Sequence, residues 1–221
     1  MASETEVIKK IQYDLRGPGG DWETTYEDVL GETHLVFKNR HKSIREMFNA
    51  NIAKWSSREF LVLEQTRITY EEFRLRVEST AFRMQTQCGI NQGDRVAILA
   101  ANSPEWVISF FAATHLGAIV SALNGWWTET EIRHAIELTD PSLIIGDSRR
   151  LARAGLVLEN FEVIDFDQNS LFFEASGDEP EYPSLEEDDP ALILFTSGTT
   201  GKSKGALLSH RSLIGFVDGT I

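Results

Sequence analysis

RVAILAANSPEWVISFFAATHLGAIVSAL, residues 95–123, decides the fold. It opens on RVAILA, 95–100, a short apolar run of the kind that fills a strand buried on both faces of a parallel sheet. Ser103 then stands as an N-cap and Pro104 at the first helical position, where a missing N–H costs nothing. The helix this starts, 104–116, is apolar on most sides, which predicts burial. AIVSAL, 118–123, reads as the next strand. Strand, covering helix and strand make a βαβ unit, and such a unit implies a parallel sheet.

Carried on to Thr128, the same stretch imitates a membrane span. Trp106–Thr128 holds no Asp, Glu, Lys or Arg and is long enough to cross a bilayer. Glu105 and Glu129 flank it without a basic anchor, His115 and Asn124 interrupt it, and Gly117 divides it. It reads as a buried helix–strand pair, with no transmembrane segment.

The alternation continues downstream. Thr128 and Glu131 form a capping box, with Ile132, Ala135 and Ile136 as the apolar face behind it. Asp140–Pro141 ends that helix. LIIG, 143–146, is a strand, about 148–158 a weaker helix, and EVIDF, 162–166, a further strand. ALILFT, 191–196, is the last. The predicted fold class is therefore α/β, a mostly parallel sheet with flanking helices.

Upstream, two further capping boxes, Ser43/Glu46 and Thr69/Glu72, open helices. Their apolar faces run Ile44, Met47, Phe48, Ile52, Trp55 and Phe73, Val77, Ala81, Met84, Cys88. FLVLE, 60–64, lies between them as a candidate edge strand. Residues 1–42 give no clear signal and read as an N-terminal extension, with RGPGGDW, 16–22, as loop. The opening MASETEVIKK lacks the apolar core of a signal peptide.

The net charge of −13 argues against a nucleic-acid partner, which needs a basic patch. Seven acidic residues and no basic one lie in DEPEYPSLEEDD, 178–189. They sit in a polar, aperiodic stretch, about 167–189, that reads as an acidic loop: a solvated excursion or a partner-binding insert. A single cysteine, Cys88, excludes an internal disulfide and fits a reducing, cytoplasmic setting, where it reads as a small apolar residue. The five histidines, His34, His41, His115, His134 and His210, show no metal-ligand spacing. His115 reads as a core residue and His210 as the start of a helix.

Beyond the last strand lies FTSGTTGKSKGALLSH, 195–210. Glycines let a ligand approach the backbone, successive N–H groups form an anion nest, and Ser, Thr and Lys add donors. No acidic residue occurs between Asp189 and Asp218, which favours a polyphosphate site at 196–205. Gly201–Lys202–Ser203 suggests the P-loop NTPase motif, but that motif needs glycine where Thr196 stands.

The stretch resembles the phosphate-binding signature of the adenylate-forming (AMP-binding) enzymes: acyl- and aryl-CoA synthetases, firefly luciferase and peptide-synthetase adenylation domains. Their pattern, aromatic-T/S-S-G-T-T-G-x-P-K-G, is matched at every fixed position except Ser203, which replaces proline. That exchange loses loop stiffness but no donor. ITYEEF (68–73), GDRVAI (93–98), NSPEWV (102–107) and LGAIVSALNGWWTETEI (116–132) also look like the opening of an acyl-CoA synthetase. The Asn–Gly–Trp–Trp–Thr turn resembles fatty-acyl and related acyl-CoA ligases, hence fatty acid metabolism.

The resemblance implies that residues 43–221 are the first part of a large N-terminal domain. It implies ATP and magnesium, a carboxylic acid converted to acyl-adenylate, and coenzyme A as acceptor. Thr196, Ser197, Gly198, Thr199, Thr200 and Lys204 match the family's phosphate contacts; Lys202 falls at its variable position. The adenine-binding segment, magnesium-binding Glu, ribose-binding Asp, acyl pocket and C-terminal domain with its catalytic Lys would lie beyond Ile221. This leaves no catalytic residue and no metal ligand within 1–221. The expectation is thus an N-terminal fragment, inactive alone. The alternative is a natural short nucleotide-binding or interaction module on the same scaffold.

Overall fold

The structure, a computed structural model, describes residues 4–196 and 202–219. The N-terminal stretch is regular despite its weak signal. Helix α1 (Glu4–Arg16) leads into an antiparallel hairpin of β1 (Thr24–Val29) and β2 (Glu32–Phe37). The hairpin turns at Leu30 and Gly31, both at positive φ (54° and 88°), as a two-residue turn matched to strand twist requires. A leucine at such a φ carries none of the usual turn chemistry, so the sequence did not announce it.

Helix α2 (Ile44–Trp55) buries Ile44, Phe48 and Ile52. Its capping box is closed on one side only. The Ser43 hydroxyl accepts the Glu46 N–H at 3.1 Å, but the Glu46 carboxylate accepts from Lys42 N–H at 2.6 Å. β3 (Glu59–Leu63) pairs with β4 (Thr66–Thr69) in a separate hairpin, so FLVLE is not an edge of the main sheet. Helix α3 (Tyr70–Thr86) has its complete Thr69–Glu72 box and buries Phe73, Val77, Ala81 and Met84. Cys88 follows, packed against the same core; burial pushes its thiol up to about 11, which leaves it inert at neutral pH.

The main sheet is built from β5 (Arg95–Leu99), β6 (Ile119–Ala122), β7 (Leu143–Gly146), β8 (Val163–Asp165), β9 (Pro190–Thr196) and β10 (Lys204–Ser209). Their order is β10-β9-β6-β5-β7-β8, all parallel except β10, which runs antiparallel to β9. α4 (Pro104–His115) links β5 to β6 on one side, and α5 (Glu129–Thr139) carries the chain back across to β7. Right-handed crossovers running in opposite directions place those helices on opposite faces. The core divides accordingly: Val96 and Ile98 of β5 pack with α3 and α4, while Ala97 and Leu99 pack with α5 and α6 (Ser148–Ala154). The molecule has the predicted architecture, helices on both faces of a mostly parallel sheet. α4 has no exposed residue, and no helix among the described residues is long and apolar enough to cross a membrane.

Two expectations are corrected. The stretch 167–189 is not a free excursion. It opens with a 3₁₀ turn, Ser170–Phe173, that buries Phe172 and Phe173. Arg83 donates to the carbonyls of Phe172 (3.0 Å) and Glu174 (2.7 Å), and Arg45 to that of Pro183 (2.7 Å). Gln85 holds the backbone of Glu181 at both its N–H and its C=O, each at 2.9 Å. The side chains of Asp178, Glu179, Glu181 and Glu186 face solvent, while the backbone is strapped across α3. Secondly, the strand at 191–196 is not the last. β6 covers one side and β10 the other, since ALLS continues the hairpin before α7 (His210–Asp218) begins at His210.

Candidate functional site

The topology fixes where a ligand fits. The chain leaves β6 toward β7 and later returns to lay β9 against the other side of β6. A crevice opens at the carboxyl ends of such diverging strands. The signature loop leaves β9 at that point.

Thr196 is the last residue of β9 and Lys204 the first of β10, and the two are register partners across the hairpin. Both are exposed. The structure therefore brings these two predicted residues together at the feet of the loop. The other four, Ser197, Gly198, Thr199 and Thr200, lie outside the described residues. Gly205, the trailing glycine of the signature, has a packing reason: a Cβ there would meet Ile193 Cγ2 at 2.9 Å.

Each foot is anchored. On the outgoing side Phe195 meets Trp127 edge to face, ring centroids 5.1 Å apart. On the returning side His134 Nε2 lies 3.0 Å from the Ser203 carbonyl oxygen. A carbonyl only accepts, so the His134 proton sits on Nε2. Between α5 and these feet lies a cavity of about 570 Å³, lined by Asn124, Trp127, His134, Glu137, Phe195 and Thr196 among others. That is a size typical of small-molecule sites. A groove of about 520 Å³ adjoins it beside β10, with Leu138, Ile193 and Leu207 below Lys202 and Lys204. Glu131 also lines the first cavity, but the backbone N–H and hydroxyl of Thr128 engage its carboxylate, both at 2.8 Å. Those bonds hold it below the usual carboxylate range. Its charge thus belongs to the cap of α5, and Lys202 and Lys204 border the groove.

A second cavity, about 530 Å³, opens above the ends of β5 and β6, bordered by Asn102, Trp106, Asn124, Trp126 and Arg150. Asp147 organises it. Its carboxylate accepts from Ala101 N–H (2.9 Å), Arg150 N–H (2.9 Å) and Arg150 Nη1 (2.8 Å). The guanidinium sits 5.9 Å from the Trp126 ring centroid, and a Cβ on Gly125 would meet Arg150 Nε at 2.5 Å. Sequence reading found neither Arg150 nor His134. Each is one polar residue on a short helix, and only the tertiary fold carries it to a cavity. Among the described residues no group of three or more His, Cys, Asp or Glu is placed to hold a metal.

With this geometry in hand, comparison with known proteins is specific. The AMP-binding enzyme family model matches residues 48–220. 4-Coumarate–CoA ligase 1 of Petroselinum crispum is 28% identical over 208 residues, covering 88% of this chain and 38% of that protein. 4-Coumarate–CoA ligase 3 of Arabidopsis thaliana is 34% identical over 159 residues, covering 66% and 28%. Among solved structures, the N-terminal subdomain of NpsA from Klebsiella oxytoca aligns with a TM-score of 0.68 at 30% identity, covering 78% of this chain and 43% of that one. The N-terminal domain of FACL13 from Mycobacterium tuberculosis aligns with a TM-score of 0.67 at 26% identity, covering 77% and 45%. The chain thus spans well under half the length of the relatives it matches.

Proposed function

The chain belongs to the AMP-binding enzyme family. From that premise we propose that residues 1–221 are the N-terminal part of an ATP-dependent acid–thiol ligase. Such an enzyme activates a carboxylic acid as its acyl-adenylate and passes the acyl group to coenzyme A. The observation that carries this is the pairing of Thr196 and Lys204 across the β9–β10 hairpin, at the crevice beside β6.

The chemistry explains the residue types. A carboxylate is a poor electrophile until its oxygen becomes part of a good leaving group, and adenylation supplies AMP for that purpose. Charge gathers on phosphoryl oxygens during the step, so positioned N–H, hydroxyl and ammonium donors stabilise it. Lys204 supplies the ammonium, Thr196 and the hydroxyl residues Ser197, Thr199 and Thr200 supply short donors, and Gly198 admits the phosphates to the backbone. Magnesium would accompany ATP, with its protein ligand outside this chain. The named relatives act on 4-coumarate, which brings aryl acids alongside fatty acids as the substrate class.

This chain is proposed to grip ATP weakly and to form no acyl-adenylate alone. ATP at millimolar concentration should shift the amide resonances of Ser197, Gly198, Thr200 and Lys204, and Lys204→Ala should weaken the titration about tenfold, as for a charge-assisted hydrogen bond. An unchanged spectrum would overturn the phosphate-loop reading. Carboxylate-dependent pyrophosphate exchange by residues 1–221 would overturn the claim of inactivity.

A further inference from the structure

Ser203 is where the loop signature departs from its family pattern, which has proline there. Proline fixes φ in every state of the chain; serine leaves that freedom in place. With serine there, ordering Ser203 and Lys204 for a ligand costs more conformational entropy.

The structure offers a substitute for that stiffness. His134 Nε2 donates to the Ser203 carbonyl at 3.0 Å, joining the returning limb of the loop to α5, distant in sequence. α5 is a firm support. Its capping box is complete, and Ile132, Ala135 and Ile136, which flank His134, are at most 1% exposed. One residue beyond Ser203, Lys204 enters the β10 ladder opposite Thr196, so a fixed Ser203 carbonyl also fixes where the Lys204 backbone starts.

We propose that His134 is a positioning residue: its tether to Ser203 holds the returning limb, and Lys204 with it, in place to meet a polyphosphate. The inference rests on the phosphate-loop reading of residues 196–205 and assigns His134 no contact with the ligand. His134 is half-buried, so the ring can be exchanged without opening the core.

Two variants separate the hydrogen bond from the bulk. His134→Gln sets an amide donor about where Nε2 stands; His134→Leu fills the space without a donor. Three quantities are read: backbone order parameters at the Lys202, Ser203 and Lys204 amides, ATP affinity by shift titration, and melting temperature. His134→Leu should lower the three order parameters toward the flexible range, below about 0.6, with the melting temperature unchanged. It should weaken ATP binding about threefold to tenfold, the usual net worth of one hydrogen bond. His134→Gln should stay within about twofold of wild type, and Ser203→Pro should restore affinity in the His134→Leu background. Unchanged order parameters in His134→Leu, or equal losses in the Leu and Gln variants, overturn the tether. A wild-type chain that shows no ATP-induced shift overturns the phosphate reading instead, and the order parameters still decide whether His134 holds the loop.

Discussion

His115 shows how far a single buried residue can set the response to acid. It is 1% exposed, edge-on to Phe48 at 4.8 Å and near Phe111 and Tyr182, and neither ring nitrogen makes a well-aligned hydrogen bond among the described residues. Burial pushes its pKa down to about 3, overcoming an opposing contact with the Phe111 backbone, and the charges of Arg45 and His210 act in the same direction as burial. His210 is shifted the same way by burial, against the pull of Asp189; its Nδ1 accepts the Ile44 N–H at 3.3 Å. The unfolded chain binds a proton on His115 near pH 6.5 that the folded chain refuses. Stability is therefore complete above about pH 6.5 and falls as pH drops toward 3, by about 1.4 kcal/mol per unit. By pH 5 this amounts to about 2 kcal/mol relative to pH 8. His115→Leu should remove that share, since an apolar group of similar size gains nothing from protons and leaves no orphan nitrogen. Urea unfolding at pH 8 and pH 5 measures it. A variant with the slope of wild type would refute the account.

At the scale of elements, β10 decides how the chain meets its neighbours. Among the described residues only β9 pairs with it, and Lys204 to Leu207 are exposed along its length. Leu207 is 57% exposed, with Leu138 lining the same groove. An apolar edge strand invites strand pairing and apolar ligands. Wild type should bind a hydrophobic dye and self-associate, and Leu207→Lys should reduce both, since a charge on an edge blocks pairing. A dye-negative, monodisperse wild type in sedimentation would count against it. From the sequence the sheet ends one strand too early, at 191–196. RVAILA and LIIG were legible because strands buried on both faces are continuously apolar, and α3 and α5 because capping boxes mark their starts. β10 was not, since its residues double as the tail of the loop signature and its burial does not alternate. The β1–β2 hairpin hid behind Leu30, and Phe172 and Phe173 hid inside an acidic stretch. For the candidate site the legible part is local: the resemblance to the loop signature implies Thr196 and Lys204, which lie along one loop. His134 and Trp127 act on that loop only after α5 folds against β9.

At the scale of the whole molecule, one ion cluster joins parts of the chain that the sheet does not. The Arg40 side chain, 2% exposed, sets Nη2 2.6 Å from Glu27 of β1 and 2.7 Å from Glu187 of the strap. Arg211 of α7 reaches Glu187 and Asp188, each at 2.6 Å, and Lys42 also bonds Glu187. Glu187 is thus the hub: a carboxylate 11% exposed facing three cations. Burial works against its charge, but the hydrogen bonds from Lys42 and Arg40 outweigh it and hold its pKa below the usual value. A depressed carboxylate stabilises the fold above about pH 4.5, and that share is lost as pH falls below it, in a window that begins lower than that of His115 and overlaps its acid end. Removing the charge in Glu187→Gln leaves Arg40 buried against a more exposed Glu27. It should cost about 3 kcal/mol, the low end for breaking a buried pair, because Asp188 and Glu27 still face the cations. Glu186→Gln, its exposed neighbour in the same acidic run, should stay within about 0.5 kcal/mol of wild type. Urea midpoints of the two variants, with limited proteolysis across 178–189, compare them directly. A large loss confined to Glu187, with earlier cleavage of the strap, makes the acidic stretch a clasp between the N-terminal hairpin and α7. Equal, small losses in both would return it to a solvated loop whose charge serves no contact within this chain.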